Sequence, residues 1–230
     1  MSYWSLSRIL SAGLLCGMLA GPVMAGPILP VSYDTANGHG HPSGGWWNYW
    51  DKSYDGLGSV TTDNAPLTGG LGDLVDGVIP TLNWNFVENN EGTGPYVGWI
   101  NVNPTILFHF DAGQIIEEVY IHTDDSQGQG GVSPPSAVVI NGVSYDVVRQ
   151  DPSSRTPFAI GVTGLALSGT VSVQLMRDTP WVFISEVQFA GQESVIASTS
   201  STSVPEPGTM MLLAGGLVGL AGVRRRIAAG

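Results

Sequence analysis

The densest group of side chains that could do chemistry is aromatic and lies near the start of the sequence. Trp46, Trp47, Tyr49 and Trp50 fall within five consecutive positions and are interrupted only by Asn48. Indole and phenol rings stack on the C–H faces of sugars, while nearby amides bind hydroxyl groups. The segment predicts a glycan-binding platform. The alternative is that these rings fill a core or cover a sheet edge.

Two other segments carry polar side chains with ligand chemistry. His39 and His41 would share one face of an extended chain, but no cysteine or paired acid completes a transition-metal shell. A mobile polar loop or arm is therefore expected over residues 37–45. Residues 124–131 begin with Asp124 and Asp125 but lack the alternating acids of an EF-hand. They predict a solvated loop, with a weak surface calcium site as the alternative.

Residues suited to catalysis are scarce. Glu117 and Glu118 are adjacent on a predicted strand and point to opposite faces, which does not suit paired-carboxylate glycoside hydrolysis. Neither Gly-x-Ser-x-Gly nor His-Glu-x-x-His occurs in the sequence. We therefore predict a protein that is not an enzyme, and the alternative is a secreted hydrolase that acts on extracellular polysaccharide.

Short β patterns must position these side chains. Runs of β-branched and aromatic residues, separated by Gly, Pro, Asn and Asp, predict strands. They are Leu82–Val87, Val97–Val102, Thr105–Phe110, Ile115–Thr123, Ala137–Ile140, Val143–Val148, Phe158–Val162, Thr170–Met176 and Trp181–Phe189. Their spacing predicts an all-β fold, an antiparallel β-sandwich of the jelly-roll type.

Three local patterns refine this prediction. Strict alternation over Thr170–Met176 predicts that Val171, Val173 and Leu175 face the core. Asn141-Gly142 predicts a type I′ hairpin turn, because both residues tolerate a positive φ. The apolar positions of the last strand change parity at Ser185-Glu186, which predicts a β-bulge there.

The order of several short motifs resembles the galactose-binding-like jelly roll of discoidin domains and their carbohydrate-binding relatives. The matching pieces are Leu74-Val75-Asp76-Gly77, Trp99-Ile100, Leu107–Asp111, Ile116–Ile121 and Trp181–Val187. The resemblance covers about residues 71–191. It implies a structural calcium ion with Asp76, Thr81 and Glu186 as contacts, and with Asp73 as a looser addition. The alternative is that Asp76 only forms a turn and Glu186 only caps the bulge.

The net charge of the predicted mature chain restricts which partners it can bind. Residues 26–203 hold four basic residues against eighteen acidic ones, a net charge of −14. Nucleic acid is excluded as a partner, because phosphate binding depends on Lys and Arg. A solvated acidic surface suits an exported protein, and calcium is the only cofactor expected.

The N-terminus predicts a signal peptide over residues 1–25. Arg8 precedes an uncharged stretch, Gly21-Pro22 breaks the predicted helix, and Val23-Met24-Ala25 provides a site for signal peptidase. Cys16 raises the alternative of a lipoprotein, but Leu15 stands where a lipobox needs a small residue. The mature chain is then free of cysteine and cannot form disulfides.

The C-terminus carries the most specific signal. Val204-Pro205-Glu206-Pro207 precedes an uncharged run from Thr209 to Val223, and Arg224, Arg225 and Arg226 follow. Fifteen helical residues reach roughly 22 Å, short of the ~30 Å hydrocarbon core, so the span is marginal. The three arginines orient this apolar segment with its basic end in the cytoplasm.

This order of parts resembles the PEP-CTERM sorting signal of Gram-negative bacteria. The resemblance implies that exosortase, a membrane protease, recognises the Pro-Glu-Pro segment, cuts the tail and passes the protein to the cell surface. The alternative is an ordinary C-terminal membrane anchor. Both interpretations place residues 26–203 outside the inner membrane.

The sequence thus predicts five segments. They are a signal peptide (1–25), a Gly- and aromatic-rich part (26–70), the sandwich (71–191), a Ser/Thr linker (192–203) and a sorting signal with a hydrophobic helix (204–230). We expect an exported protein that starts as an inner-membrane-anchored precursor and ends at the cell surface or in the extracellular matrix. Signal peptidase, exosortase and extracellular polysaccharide are the expected partners. A purely structural envelope or biofilm component is a further alternative.

Overall fold

A computed structural model describes residues 25–40, 47–149, 151 and 153–193. The predicted signal helix, residues 194–203 of the predicted linker and the hydrophobic C-terminal helix lie outside these residues, whereas Gln192 and Glu193 of the predicted linker belong to the last strand. Within them the strands are β1 Gly26–Ile28, β2 Ser32–Ala36, β3 Pro66–Gly70, β4 Val97–Ile100, β5 Thr105–His109, β6 Gln114–Thr123, β7 Ala137–Ile140, β8 Val143–Asp146, β9 Phe158–Leu167, β10 Thr170–Met176 and β11 Trp181–Glu193.

The strands form two antiparallel sheets that enclose one main core. The first sheet has the order β1-β11-β6-β9, with β4 also paired to β11. The second has the order β3-β2-β5-β10-β7-β8. The predicted all-β antiparallel sandwich is therefore confirmed.

Alternating side chains build the core as predicted. Val171, Val173 and Leu175 of β10 are buried, and Ile106 and Phe108 of the neighbouring β5 are buried beside them. Inward residues of one sheet meet those of the other, which is how a sandwich removes its apolar surface from water.

The turn and bulge predictions are also confirmed. Asn141 and Gly142 connect β7 to β8 with φ angles of 46° and 83°, the pair of positive values that a type I′ turn needs. The register of β11 against β6 shifts between Ile184 and Glu186, which is the predicted bulge.

One strand prediction is wrong. The run Leu82–Val87, predicted as a strand, contains a short helix, α1, at Trp84–Val87. The Trp84 amide at the start of α1 donates to Asp124 Oδ2 at 2.7 Å, so a distant side chain stabilises this helical turn. Residues 26–36, which show few regular patterns, supply β1 and β2.

The prediction of a mobile loop over residues 37–45 is wrong for residues 37–40, the part that the structure describes. Asn37 and His39 are buried, and the Asn37 side chain accepts the Asp51 amide at 2.8 Å. Asn64 Nδ2 lies 2.8 Å from His39 Nε2. His39 is therefore a packing residue. Residues 41–45 lie outside the described range.

Candidate functional site

The loops at one end of the sandwich carry the candidate site. This end contains the start of β11, the end of β6 and the start of β9. The opposite end holds Gly26 and Glu193, the first and last residues of the first sheet. Polar and aromatic residues converge at the loop end from five different parts of the chain.

An aromatic cluster fills one side of this end. Its buried members are Tyr49, Tyr96, Val132 and Phe183, and its half-buried members are Trp47, Trp84, Val87 and Trp181. We call the three half-buried indoles, Trp47, Trp84 and Trp181, the tryptophan rim.

Edge-to-face and tilted ring contacts fix the geometry of the cluster. The Trp47 and Trp84 rings meet at a centroid distance of 5.1 Å and an angle of 76°. Tyr49 lies 5.2 Å from Trp181 and 4.7 Å from Phe183. Such pairs add about 0.5–1.5 kcal/mol each beyond area burial, so the rings are held in place rather than free to rotate.

The structure separates the members of the predicted glycan platform. Trp47 belongs to the tryptophan rim, whereas Tyr49 is 8% exposed and supports it from below. Trp50 is half-buried elsewhere, and its indole N–H donates to Asp63 Oδ1 at 2.8 Å. Trp46 lies outside the described residues. Sequence reasoning missed Trp84 and Trp181 as ligand candidates, because only the fold brings them to Trp47.

A second region, the acidic loop at residues 72–77, brings the predicted calcium residues together. Asp73, Asp76 and Thr81 line one cleft of about 470 Å³. Asp76 and Glu186 line a neighbouring cleft, and Glu186 Oε2 accepts the Gly77 amide at 3.0 Å. The fold therefore places all four predicted residues around this loop.

Hydrogen bonds occupy several of these carboxylate oxygens. Asp76 Oδ1 accepts the Val78 amide at 2.8 Å, and the Asp73 carboxylate accepts from the Lys52 amide and the Ser53 hydroxyl. Among the described residues no group of three or more His, Cys, Asp or Glu side chains is arranged to hold a metal ion. In this arrangement the acids bind backbone and hydroxyl donors.

Asp51, which directly follows the predicted glycan platform in sequence, is an acidic neighbour of this loop. It is fully buried, accepts the Asp73 amide at 2.9 Å and accepts the Tyr33 hydroxyl. Burial, together with the charge of Asp73, raises the pKa of Asp51 to about 7. Burial and the charge of Asp76 likewise raise the pKa of Glu186 to about 7, although the Gly77 amide opposes the shift.

Buried acids continue towards the tryptophan rim. Burial raises the pKa of Glu88 to about 8, and it also raises the pKa of Asp124. Asp124, Asp125 and Ser126 are all at most 2% exposed, so the solvated loop predicted for this segment is wrong at its first three residues. Their neighbour Asn83 donates to the Asp125 carbonyl and to the Arg155 carbonyl, which ties three loops together.

Comparison with known families identifies the fold. Residues 30–191 match the family model of the discoidin domain-containing receptor 1/2 DS-like domain. The chain belongs to this family. The discoidin resemblance seen in the sequence is thereby confirmed, and the match extends it to include β2 and β3. DS-like domains of this kind are typically non-catalytic binding domains.

A second family model, the PEP-CTERM protein-sorting motif, matches residues 203–226. This confirms the sorting signal that the sequence predicted, although Val204–Pro207 and Arg224–Arg226 lie outside the described residues. The motif implies an exported, membrane-anchored precursor that exosortase processes. No helix in the described ranges has the length and apolarity to span a bilayer. No curated protein matches the sequence.

Proposed function

We propose that this DS-like domain is a non-catalytic glycan-binding module, displayed at the cell surface after exosortase has processed its precursor. The two family matches support an exported surface protein with a carbohydrate-binding type of fold. The glycan ligand and the final location are part of the proposal.

The observation that carries the proposal is the tryptophan rim. Three indoles stand half-exposed over a rigid aromatic support at the loop end of the sandwich. Ligand sites combine apolar and aromatic walls with a few polar groups. A rim of this kind suits the C–H face of a neutral sugar chain.

The acids favour binding over hydrolysis. Glu117 accepts from Gln192 at 2.8 Å, and Glu118 accepts from Tyr120 at 2.8 Å, so these adjacent carboxylates have separate structural partners. Glycoside hydrolysis needs two carboxylates that face one sugar from opposite sides. We assign the buried acids to structure. A structural calcium ion at Asp73, Asp76, Thr81 and Glu186 remains part of the proposal.

Retention on insoluble extracellular polysaccharide tests the proposal. We expect Trp47→Ala and Trp181→Ala to lose most retention while keeping the fold, because both side chains are half-exposed. Trp50→Ala is the matched control, since it removes a half-buried indole outside the rim. Equal retention by all three variants would contradict the proposal, and release of reducing sugar by the wild type would favour a hydrolase.

A further inference from the structure

Among the described residues the two sheets end in five strands, and four of these strands are short or covered. β1 has three residues and β8 has four. Leu57 covers β3 by exchanging two main-chain hydrogen bonds with Thr68, and Tyr49 covers β4, since its carbonyl accepts the Gly98 amide. β9 is the exception. It has ten residues, pairs with β6 on one side, and has no main-chain partner on its other side in the described part of the chain.

The composition of β9 leaves this edge unprotected. Natural sheets discourage the addition of a further strand at an open edge with charged side chains, proline or bulges. Phe158–Leu167 contains no charged residue and no proline. One bulge occurs after Thr163, so residues 158–163 form the regular part of the strand. The free main-chain groups of this part can therefore pair with another strand.

The main core is least covered on this same side of the sandwich. β8 and β9 are terminal strands of the two sheets, and residues of both border one cleft. Among the described residues, seven apolar side chains pack against the main core while remaining partly exposed. Five of the seven lie on or beside these two strands: Tyr145, Val147, Phe158, Leu165 and Leu167. A partner that extends the sheet from β9 removes this apolar surface from water.

The distribution of charge permits a second copy of this chain to be that partner. Residues 26–203 have a net charge of −14, so two copies repel each other over most of their surface. β9 is an uncharged part of that surface. Asp146 and Asp151 border β9 only near its start. When two identical strands pair antiparallel, their starts lie at opposite ends of the interface, so these acids do not face their counterparts.

The size of this side also suits a dimer. Ten residues at ~3.3 Å per residue give β9 a length of roughly 33 Å. Two sheets ~10 Å apart, together with their outward side chains, make the side about 20 Å thick. The contact then buries roughly 650 Å² on each copy, or about 1,300 Å² in total. This total lies at the low end of the ~1,200–2,000 Å² range of stable interfaces, which indicates a dimer that dissociates on dilution.

We propose that the exported protein forms a two-fold symmetric dimer in which the β9 strands of two copies pair antiparallel and join the two first sheets into one. Outward side chains meet outward side chains, with Gly161 opposite Gly161 and Ala159 opposite Thr163. The partly exposed apolar side chains of the two copies come together at the seam between the sheets. The tryptophan rim has no residue on β9, so this dimer does not depend on the proposed glycan binding.

Sedimentation equilibrium of the exported protein over a wide concentration range measures this association. We expect a reversible equilibrium between monomer and dimer for the wild type. Ala159→Glu/Thr163→Glu places like charges opposite each other at two points of the interface, so it should weaken dimerisation at least about tenfold. A wild type that stays monomeric at every concentration would overturn the proposal.

A matched variant separates the edge of β9 from net charge. Thr105→Glu/Gln188→Glu adds the same two charges at exposed positions of β5 and β11, and it should change dimerisation less than about twofold. All four substituted side chains are exposed, so both variants should keep the melting temperature of the wild type. Equal weakening by the two variants would overturn the proposal, because it would show an effect of net charge alone.

Disulfide cross-linking tests the pairing of the strands directly. Cys16, the single cysteine of the sequence, belongs to the predicted signal peptide. In Ala159→Cys/Thr163→Cys the thiol at each position lies opposite the other position of the second copy, about 4.5–5.5 Å away between Cα atoms. Within one copy the two thiols are roughly 13 Å apart, too far to join. Mild oxidation should therefore give a covalent dimer, and Thr105→Cys/Gln188→Cys should give none. A dimer that forms in solution but does not cross-link through β9 would overturn the proposal.

Discussion

The buried carboxyl of Glu88 makes the stability of this domain depend on pH. Its Oε1 accepts the Tyr96 amide at 2.9 Å, whereas Oε2 is buried with no donor among the described residues. Gly94 covers the carboxyl so closely that a Cβ atom there would lie 2.3 Å from Oε2. The folded state therefore favours the protonated, neutral form of this side chain.

The direction and size of the effect follow from the pKa. Burial raises the pKa of Glu88 from 4.5 to about 8 in the folded state. Between these values the folded state binds a proton that the unfolded state has released, so stability falls as pH rises. At ~1.4 kcal/mol per pH unit, the ionisation of Glu88 lowers the free energy of unfolding by at most about 5 kcal/mol by pH 8. Asp51 and Glu186, each with a pKa raised to about 7, act in the same direction.

Glu88→Gln tests this reasoning, because glutamine has the shape of the protonated acid and does not titrate. We expect the variant to match the wild type near pH 5 and to exceed it by several kcal/mol near pH 8. Urea unfolding at both pH values measures the difference, and Glu91→Gln, at an exposed site three residues along the chain, is the control. Identical pH dependence in the wild type and Glu88→Gln would refute the assignment of a raised pKa to Glu88.

Three further predictions concern sorting, metal and packing. Replacing Pro205-Glu206-Pro207 with three alanines should leave an uncut precursor in the membrane fraction, as seen by immunoblotting; unchanged processing and release would mean that the tail is a plain anchor. If calcium binds at Asp76 and Glu186, calcium should raise the melting temperature of metal-free protein and a chelator should lower it, with Glu186→Gln removing most of the difference; identical curves for the wild type would exclude the site. Trp99→Ala should lower the free energy of unfolding, measured with denaturant, by about 3–5 kcal/mol, because Trp99 is fully buried and its indole N–H donates to the Ala36 carbonyl at 2.8 Å. Trp47→Ala should lower it much less. Comparable losses in the two variants would mean that Trp47 is a core residue.

Local patterns predicted the parts of the fold that local physics determines. The alternation of β10, the Asn141-Gly142 turn and the β11 bulge all depend on neighbouring residues, and all three are present. β1 could not be found in this way. It has only three residues, two of them Gly and Pro, and it is a strand because β11 pairs with it from the far end of the chain.

The error at Leu82–Val87 has a similar cause. The run is apolar enough to be a strand, but Asp124 accepts the Trp84 amide from forty residues further along and stabilises a helical turn instead. A carboxylate at a helix start contributes about 0.5–2 kcal/mol, which exceeds the weak strand preference of a short run. The same long-range contact buries Asp124, which the glycine-rich sequence around it does not suggest.

The candidate site was predicted where residues are close in sequence or where the family resemblance brings distant residues together. Trp47 was identified from its aromatic neighbours, and Asp76 and Glu186 from the family resemblance, which implies their approach across the fold. Trp84 and Trp181 reach Trp47 only through packing at the loop end. The pairing of Asp125 with Arg149 depends on two loops whose sequences carry no shared pattern.

The position of β11 in the first sheet restricts when the exported chain can fold. β1, β4 and β6 all pair with β11, and Ile28 of β1 meets a partner roughly 160 residues later in the chain. A chain that crosses the membrane from its N-terminus delivers every strand of the second sheet, the last ending at Met176, before β11 emerges. During that interval the first sheet lacks the strand that joins β1 and β4 to β6, so it covers the apolar inner face of the second sheet incompletely, and such exposed surfaces are prone to aggregation. We therefore expect this chain to complete its fold only after its final strand has crossed the membrane.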